Sequence, residues 1–234
     1  MCRQTFRAFS HPGRKGSHLS GQAPCVDLQR LTGLLVPPLC AVCRDPCDPG
    51  ALVCPDCLWQ LDNSGPVLGD PPPGVDEVAS VSPHEGIGRV LISAYKFKGL
   101  TGLAGLLAGR MAEVAPAGRS GSDRVVTAVP AAGVRRRLRG FDPAGDLGCH
   151  LAAATGRQVE EGTIGRSGFA RQRGRSRTGR LGDPPKIRAL GPCHAEILLV
   201  DDVLTTGATL SACALTLRQC GARRITAVTF TWRE

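Results

Sequence analysis

Residues 197–209 run Ile-Leu-Leu-Val-Asp-Asp-Val-Leu-Thr-Thr-Gly-Ala-Thr, an order of residue types that suits a phosphorylated sugar. Ile197 to Val200 is a short apolar run of β-favouring residues, as in a strand buried on both faces. Asp201 and Asp202 follow directly, where a strand leaves its sheet and where ligands of open α/β sheets bind. Thr205, Thr206, Gly207, Ala208 and Thr209 then offer hydroxyls and backbone N–H groups, and Gly207 permits a tight turn with close backbone approach. Leu210, Cys213, Ala214 and Leu217 recur at helical spacing, so a helix begins near Ala208 and its N-terminus is a seat for phosphate. The carboxylates repel phosphate, so their partners are diol hydroxyls or a hydrated divalent cation. The same residues also satisfy a plainer reading: a buried strand, an acidic turn and a threonine N-cap. The glycine-rich patterns G-x-x-x-x-G-K-[ST] and G-x-G-x-x-G after a strand are absent.

A second constellation is Cys40-Ala-Val-Cys43 and Cys54-Pro-Asp-Cys57. Each C-x-x-C pair turns two thiolates toward one tetrahedral ion, and two pairs this close predict a structural zinc site with Cys40, Cys43, Cys54 and Cys57 as ligands. Four protein ligands complete the shell, which argues against a catalytic metal. Cys47 lies between the pairs and is an alternative ligand. No strand–helix thioredoxin pattern surrounds either pair, which weakens a redox reading. Cys2, Cys25, Cys149, Cys193, Cys213 and Cys220 have no partnered spacing.

The chain has 234 residues, enough for one medium domain and a small appendage. No apolar run reaches the ~20 residues of a membrane span, so no membrane insertion is expected. Met1 to Pro24 is basic and polar without a hydrophobic h-region, unlike a secretory signal. Together with eleven cysteines, two pairs of them at metal spacing, this predicts a cytoplasmic protein. Net charge is +9, and Arg135, Arg136, Arg137, Arg139, Arg166, Arg171, Arg173, Arg175, Arg177, Arg180, Lys186 and Arg188 crowd one stretch. That favours a polyanionic ligand, a nucleic acid or both, against a merely solvated face.

The elements that must position these groups are legible from period. Residues 1–37 read as a basic, disordered tail, 38–62 as the zinc knuckle, and 63–77 as a Pro/Gly-rich linker that includes Asp70-Pro-Pro-Pro-Gly74. The main domain spans 78–234. Val78 to Val81 alternates weakly, as an edge strand would. Ile87, Val90, Leu91 and Ala94 mark one helix, ending near Lys96-Phe-Lys-Gly99. Leu103, Leu106, Leu107, Met111 and Val114 mark a second. Val125 to Val129 reads as a buried strand closed by Pro130. Leu147, Leu151 and Ala154 mark a helix, Val159 to Ile164 a strand, and 166–186 an Arg/Gly-rich loop. Strand 197–200, helix 208–220 and strand 225–230 complete a β/α alternation, hence a mostly parallel sheet flanked by helices. His84, His150 and His194 stand isolated.

Val200-Asp-Asp-Val-Leu-Thr-Thr-Gly-Ala-Thr209 resembles the phosphoribosyl pyrophosphate (PRPP) motif of type I phosphoribosyltransferases. Val134-Arg-Arg-Arg-Leu-Arg-Gly-Phe-Asp142 narrows the resemblance to the ComF branch of that superfamily, the competence-protein relatives, which often carry an N-terminal cysteine knuckle. Here Asp142 stands where those relatives have Asn. The resemblance implies a type I phosphoribosyltransferase-like fold in which Asp201 and Asp202 hold the ribose diol and Thr205 to Thr209 the 5′-phosphate. It also implies that the Val129-Pro130-Ala131 turn and Arg139 meet the pyrophosphate, with Lys96 facing the ligand. A helix-end lysine serving the dipole is the competing role for Lys96. Arg171 to Arg180 sits where such enzymes have a mobile hood, and Arg173 there would stabilise charge on departing pyrophosphate. The implied cofactors are Mg²⁺ with PRPP and structural Zn²⁺. Two functions follow: phosphoribosyl transfer to an unspecified nitrogen acceptor, or non-catalytic PRPP binding with single-stranded DNA handling in natural competence. A second copy of the chain, as a homodimer, and a component of the competence machinery are the protein partners it leaves open.

Overall fold

The computed structural model describes residues 38–118, 124–131, 140–166 and 185–233. In chain order the elements are α1 (Pro55–Ser64), β1 (Val67–Leu68), β2 (Glu77–Pro83), α2 (Gly86–Phe97), a 3-10 turn (Thr101–Leu103) and α3 (Ala104–Val114). Next come β3 (Val125–Ala128), α4 (Pro143–Thr155), β4 (Ile164–Arg166), β5 (Ile187–Ala189), β6 (Glu196–Leu204), α5 (Ala208–Gln219) and β7 (Arg224–Trp232). The main sheet has the order β1-β2-β7-β6-β3. Its strands are parallel except β1, which pairs antiparallel to β2. The chain is therefore α/β, with a mostly parallel five-stranded sheet flanked by helices.

Three strands depart from their sequence reading. Residues 159–164 are no strand, since Val159 makes only one bridge, to Val126, and β4 begins at Ile164. The other two depart for physical reasons. β6 does not stop at the acid pair: it stays in register with β7 through Val203↔Thr231 and Leu204↔Trp232. Charge ends an apolar run, but it does not end a ladder whose neighbour continues. β2 is not the edge. It lies between β1 and β7, and Ala79, Ser80, Val81 and Ser82 are all buried. Its alternation is weak because the polar positions are hydroxyls satisfied inside the protein, Ser80 Oγ lying 2.5 Å from Thr229 Oγ1.

Strand parity divides the core. Leu198, Val200, Val228 and Phe230 face a cluster with Leu91, Tyr95, Leu107 and Met111, under α2, α3 and α4. Ile197, Leu199, Ile225 and Ala227 face Leu210, Cys213, Ala214 and Leu217 of α5. Each fully buried Leu or Ile contributes about 1.5–3 kcal/mol relative to exposure, and the scarcity of aromatics leaves that work to aliphatic residues. Cys40, Cys54, Cys57 and Leu61 belong to the first cluster, so the cysteine-bearing segment shares a core with the sheet. No helix among the described residues is long and apolar enough to cross a membrane.

The segment ahead of β2 is a strap on α5. Arg218 Nε donates to Gly74 O at 3.2 Å and Arg218 Nη2 pairs with Asp76 Oδ1 at 2.6 Å. Asp76 Oδ2 in turn accepts from Ile225 N at 2.7 Å. Pro72 of the strap packs on Gly207, the residue before α5. Gly207 has φ +71°, and a Cβ there would lie 2.8 Å from Pro72 Cβ. Gly207→Ala is expected to cost about 2–4 kcal/mol, combining left-handed strain with overpacking. Thermal melting of the variant measures it, and an unchanged Tm would show that the strap yields freely.

Candidate functional site

At the carboxyl ends of the parallel strands lies a cleft of about 470 Å³. Of the residues singled out in sequence, Lys96, Val129, Pro130, Ala131, Asp201, Asp202, Thr205 and Thr209 all line it. They come from α2, the turn after β3, the end of β6 and the start of α5, separate stretches of chain brought together by sheet order. Val129 N donates to Val200 O at 2.9 Å, which extends the β3–β6 pairing and sets the 129–131 turn beside the acid pair.

The two acids differ. Asp202 is largely buried and its Oδ2 lies 2.6 Å from Lys96 Nζ. Asp201 opens to the cleft but is otherwise surrounded by protein, and its Oδ1 accepts from Asp202 N at 2.8 Å. Burial, and next the Asp202 carboxylate, push the Asp201 carboxyl well above the usual carboxylate range. One lysine thus serves two carboxylates, and the cleft floor is left ready for a hydroxyl donor or a cation.

Around this floor stand two helix starts. Thr205 and Thr209 flank the turn into α5, with Thr206 exposed and its Oγ1 3.5 Å from Ala208 N. Thr206, Gly207 and Ala208 belong to the same turn without lining the cleft, Gly207 being buried against Pro72. Across the cleft, Asp142 caps α4 by accepting from Gly145 N at 3.3 Å, with Pro143 at the first helical position. Tyr95 O–H lies 2.7 Å from Asp146 Oδ2 and stacks edge-on against Phe141, ring centroids 5.3 Å apart, which ties α2 to the entry of α4.

His84 is a cleft residue that sequence period did not flag. Its backbone N donates to Trp232 O at 2.6 Å, prolonging β2–β7 pairing, and its Nδ1 lies 2.8 Å from Thr231 Oγ1. Burial, then the charges of Arg233, Arg89 and Lys96, push the imidazole pKa down, so it is neutral near pH 7 with Nε2 uncommitted to Thr231. Its position just past a parallel strand and just before a helix was the available signal. Arg89 and Arg166 add cations to the cleft wall. Arg139 and Arg173, like the arginines of 135–137 and 171–180, lie outside the described residues.

Away from the cleft, the Sγ atoms of Cys40, Cys43, Cys54 and Cys57 all lie within 4.8 Å of one another, which is compatible with a structural zinc site. Arg44, with φ +72°, closes the first turn. Cys40 Sγ accepts from Val42 N and Cys54 N, each at 3.4 Å. Burial raises this thiol, but the backbone donors outweigh it and hold it at about 6. Cys57 is pushed up by burial and by its neighbouring thiols. Four thiols this close do not all ionise without a cation among them. Cys47 is turned away, its Sγ on Pro38 O at 3.4 Å and Ala51 O at 3.5 Å, so it stands outside the set.

Comparison of the chain with protein-family models and with curated proteins gives no match in either.

Proposed function

We propose that this chain is a ComF-like member of the type I phosphoribosyltransferase superfamily that binds PRPP and transfers its phosphoribosyl group to a nitrogen acceptor with release of pyrophosphate. The observation that carries this reading is the convergence, in one cleft, of the Asp201–Asp202 pair, the threonine turn at the start of α5 and the Val129–Ala131 turn. Asp201 and Asp202 accept hydrogen bonds from the ribose 2′- and 3′-hydroxyls. Thr205 to Thr209 hold the 5′-phosphate at the N-terminus of α5. The 129–131 turn meets the pyrophosphate, with Arg139 and Arg173 as its cations. Displacement at C1 breaks the bond to pyrophosphate and forms the bond to nitrogen, through an oxocarbenium-like transition state. The two carboxylates favour that developing positive charge. Mg²⁺ bound together with the pyrophosphate would supply charge neutralisation there. The neutral His84 imidazole is the cleft group able to take the acceptor's proton. Zinc at Cys40, Cys43, Cys54 and Cys57 has a structural part only: four thiolates leave no open coordination position.

Calorimetry with PRPP and Mg²⁺ tests the reading. Asp201→Asn/Asp202→Asn is expected to weaken binding by at least ~100-fold through loss of the charged acceptors for the diol. Folded wild-type protein that shows no PRPP binding would sink the proposal.

The concentration of arginine between residues 135 and 188 within a chain of net charge +9 favours a second reading, a PRPP-binding protein that handles single-stranded DNA without catalysis. Scarce aromatics leave phosphate contacts as the main attraction. Affinity for an oligonucleotide should then fall by at least ~10-fold between ~50 and ~200 mM salt. Salt-independent binding contradicts it, and pyrophosphate release with a nitrogen base as acceptor separates enzyme from binder.

A further inference from the structure

At the end of β6 opposite the cleft, two half-buried thiols meet. Cys193 lies in the loop that feeds β6, and Cys220 ends α5. Cys193 Sγ donates to Leu217 O at 3.3 Å, and the same carbonyl accepts from Cys220 N at 3.0 Å. Both cysteines thus meet at one carbonyl, and the Cys220 side chain is near enough to raise the Cys193 thiol. The chain between them holds all of β6, the Asp201–Asp202 pair, the 205–209 turn and α5. We infer that Cys193 and Cys220 are a redox modification site: an external low-molecular-weight disulfide oxidises them to a cross-link that pins the start of β6 to the end of α5.

The four thiols of the first cluster are gathered around one point, Cys47 is bonded to carbonyls, and Cys213 is fully buried under the sheet. Cys193 and Cys220 are both half-buried, within reach of solvent, and both bond to the Leu217 carbonyl. With oxidised glutathione the step balances as follows. One protein thiolate attacks an oxidant sulfur, the oxidant S–S bond breaks, and one glutathione thiolate leaves. The second protein thiolate attacks the protein sulfur of the mixed disulfide, forms the Cys193–Cys220 bond and expels the second glutathione. The protein gives up two electrons and two thiol protons, and both protons end on the departing glutathiones. Burial and the neighbouring Cys220 push the Cys193 thiol up to about 11. Its thiolate is scarce near neutrality, so Cys193 acts as the resolving thiol and closure quickens as pH rises.

Zinc-loaded full-length protein is incubated with oxidised glutathione at about pH 8, quenched in acid, alkylated in denaturant and digested with trypsin. The expected product is peptide 189–218 joined to peptide 219–223, with fragmentation placing the bond on Cys193 rather than Cys213. Oxidised wild type should melt roughly 5–10 °C higher than reduced, while Cys193→Ser and Cys220→Ser show no shift. Recovery of both cysteines alkylated, or carrying only glutathione, overturns the proposal. So does a bond from Cys220 to Cys213, or a cross-link that leaves the Tm unchanged. None of these outcomes bears on PRPP binding, which is read separately.

Discussion

Asp201→Asn is expected to raise the melting temperature of the ligand-free protein at neutral pH by about 3–6 °C while weakening PRPP binding at least ~100-fold. The asparagine keeps an oxygen to accept from Asp202 N, the bond that Asp201 Oδ1 makes at 2.8 Å. What it removes is a negative charge that burial and the adjacent Asp202 carboxylate both disfavour. Because the folded-state pKa lies above the unfolded value of ~3.9, the folded chain holds this proton more tightly. The stability so gained is complete below about pH 4 and is lost as pH rises toward the folded value. Wild type and variant should therefore diverge with rising pH, the variant becoming the more stable. Lys96→Met acts in the other direction. It strips Asp202 of the ammonium at 2.6 Å, also removes a cation that lowers Asp201, and should cost about 2–4 kcal/mol at neutral pH. Melting curves from about pH 4 to about pH 8 test both signs. An Asp201→Asn protein less stable than wild type throughout would mean that the carboxylate is held by a favourable partner. Opposite signs for stability and affinity at one atom are the mark of a residue kept for a ligand.

Local order in the chain carried much of this arrangement and long-range adjacency very little. The apolar run at 197–200 and the helical spacing after Ala208 located β6 and α5 because each signal lies within a dozen residues. The end of β6 did not follow, since Val203 and Leu204 stay in the sheet only through Thr231 and Trp232 of β7. Asp142-Pro143 is a local helix-start signature, and α4 begins there. His84 joins the cleft through Trp232 and Thr231, and Cys193 meets Cys220 across a whole βα unit. Neither contact has a spacing to announce it. The Lys96–Asp202 pair is of the same kind: its two residues come from α2 and β6, and only the parallel ladder makes them neighbours. The strap over α5 was hidden for another reason. Its Pro/Gly composition describes stiffness and turn formation, while its anchoring depends on Arg218 and Ile225 reaching Asp76.

Removal of metal is expected to produce the other large effect. A chelator, or Cys57→Ser, should lower the melting temperature by more than about 10 °C. Cys40, Cys54 and Cys57 are 0%, 8% and 3% exposed and share one apolar cluster with Leu61, Leu91 and Tyr95. The turn at Cys40–Arg44 and the start of α1 are therefore fixed to the same packing that seats α2. Since α2 supplies Lys96, Arg89 and Ser93 to the cleft, loosening at the cysteines should carry to the ligand site as weaker PRPP binding. The sign of the pH dependence is fixed by the thiols. Cys43 stands at about 11 and Cys57 is raised by burial, so metal uptake must displace their protons and affinity falls as pH drops. Elemental analysis should find zinc bound to the purified protein at a single site per chain, with proton release on reloading the stripped form. A metal-free protein that melts where the loaded one does would instead show that the four thiols pack as an ordinary piece of core. Cys40, held at about 6 by the backbone N–H groups that donate to it, argues against that outcome: a buried thiolate is a poor core residue and a good first ligand.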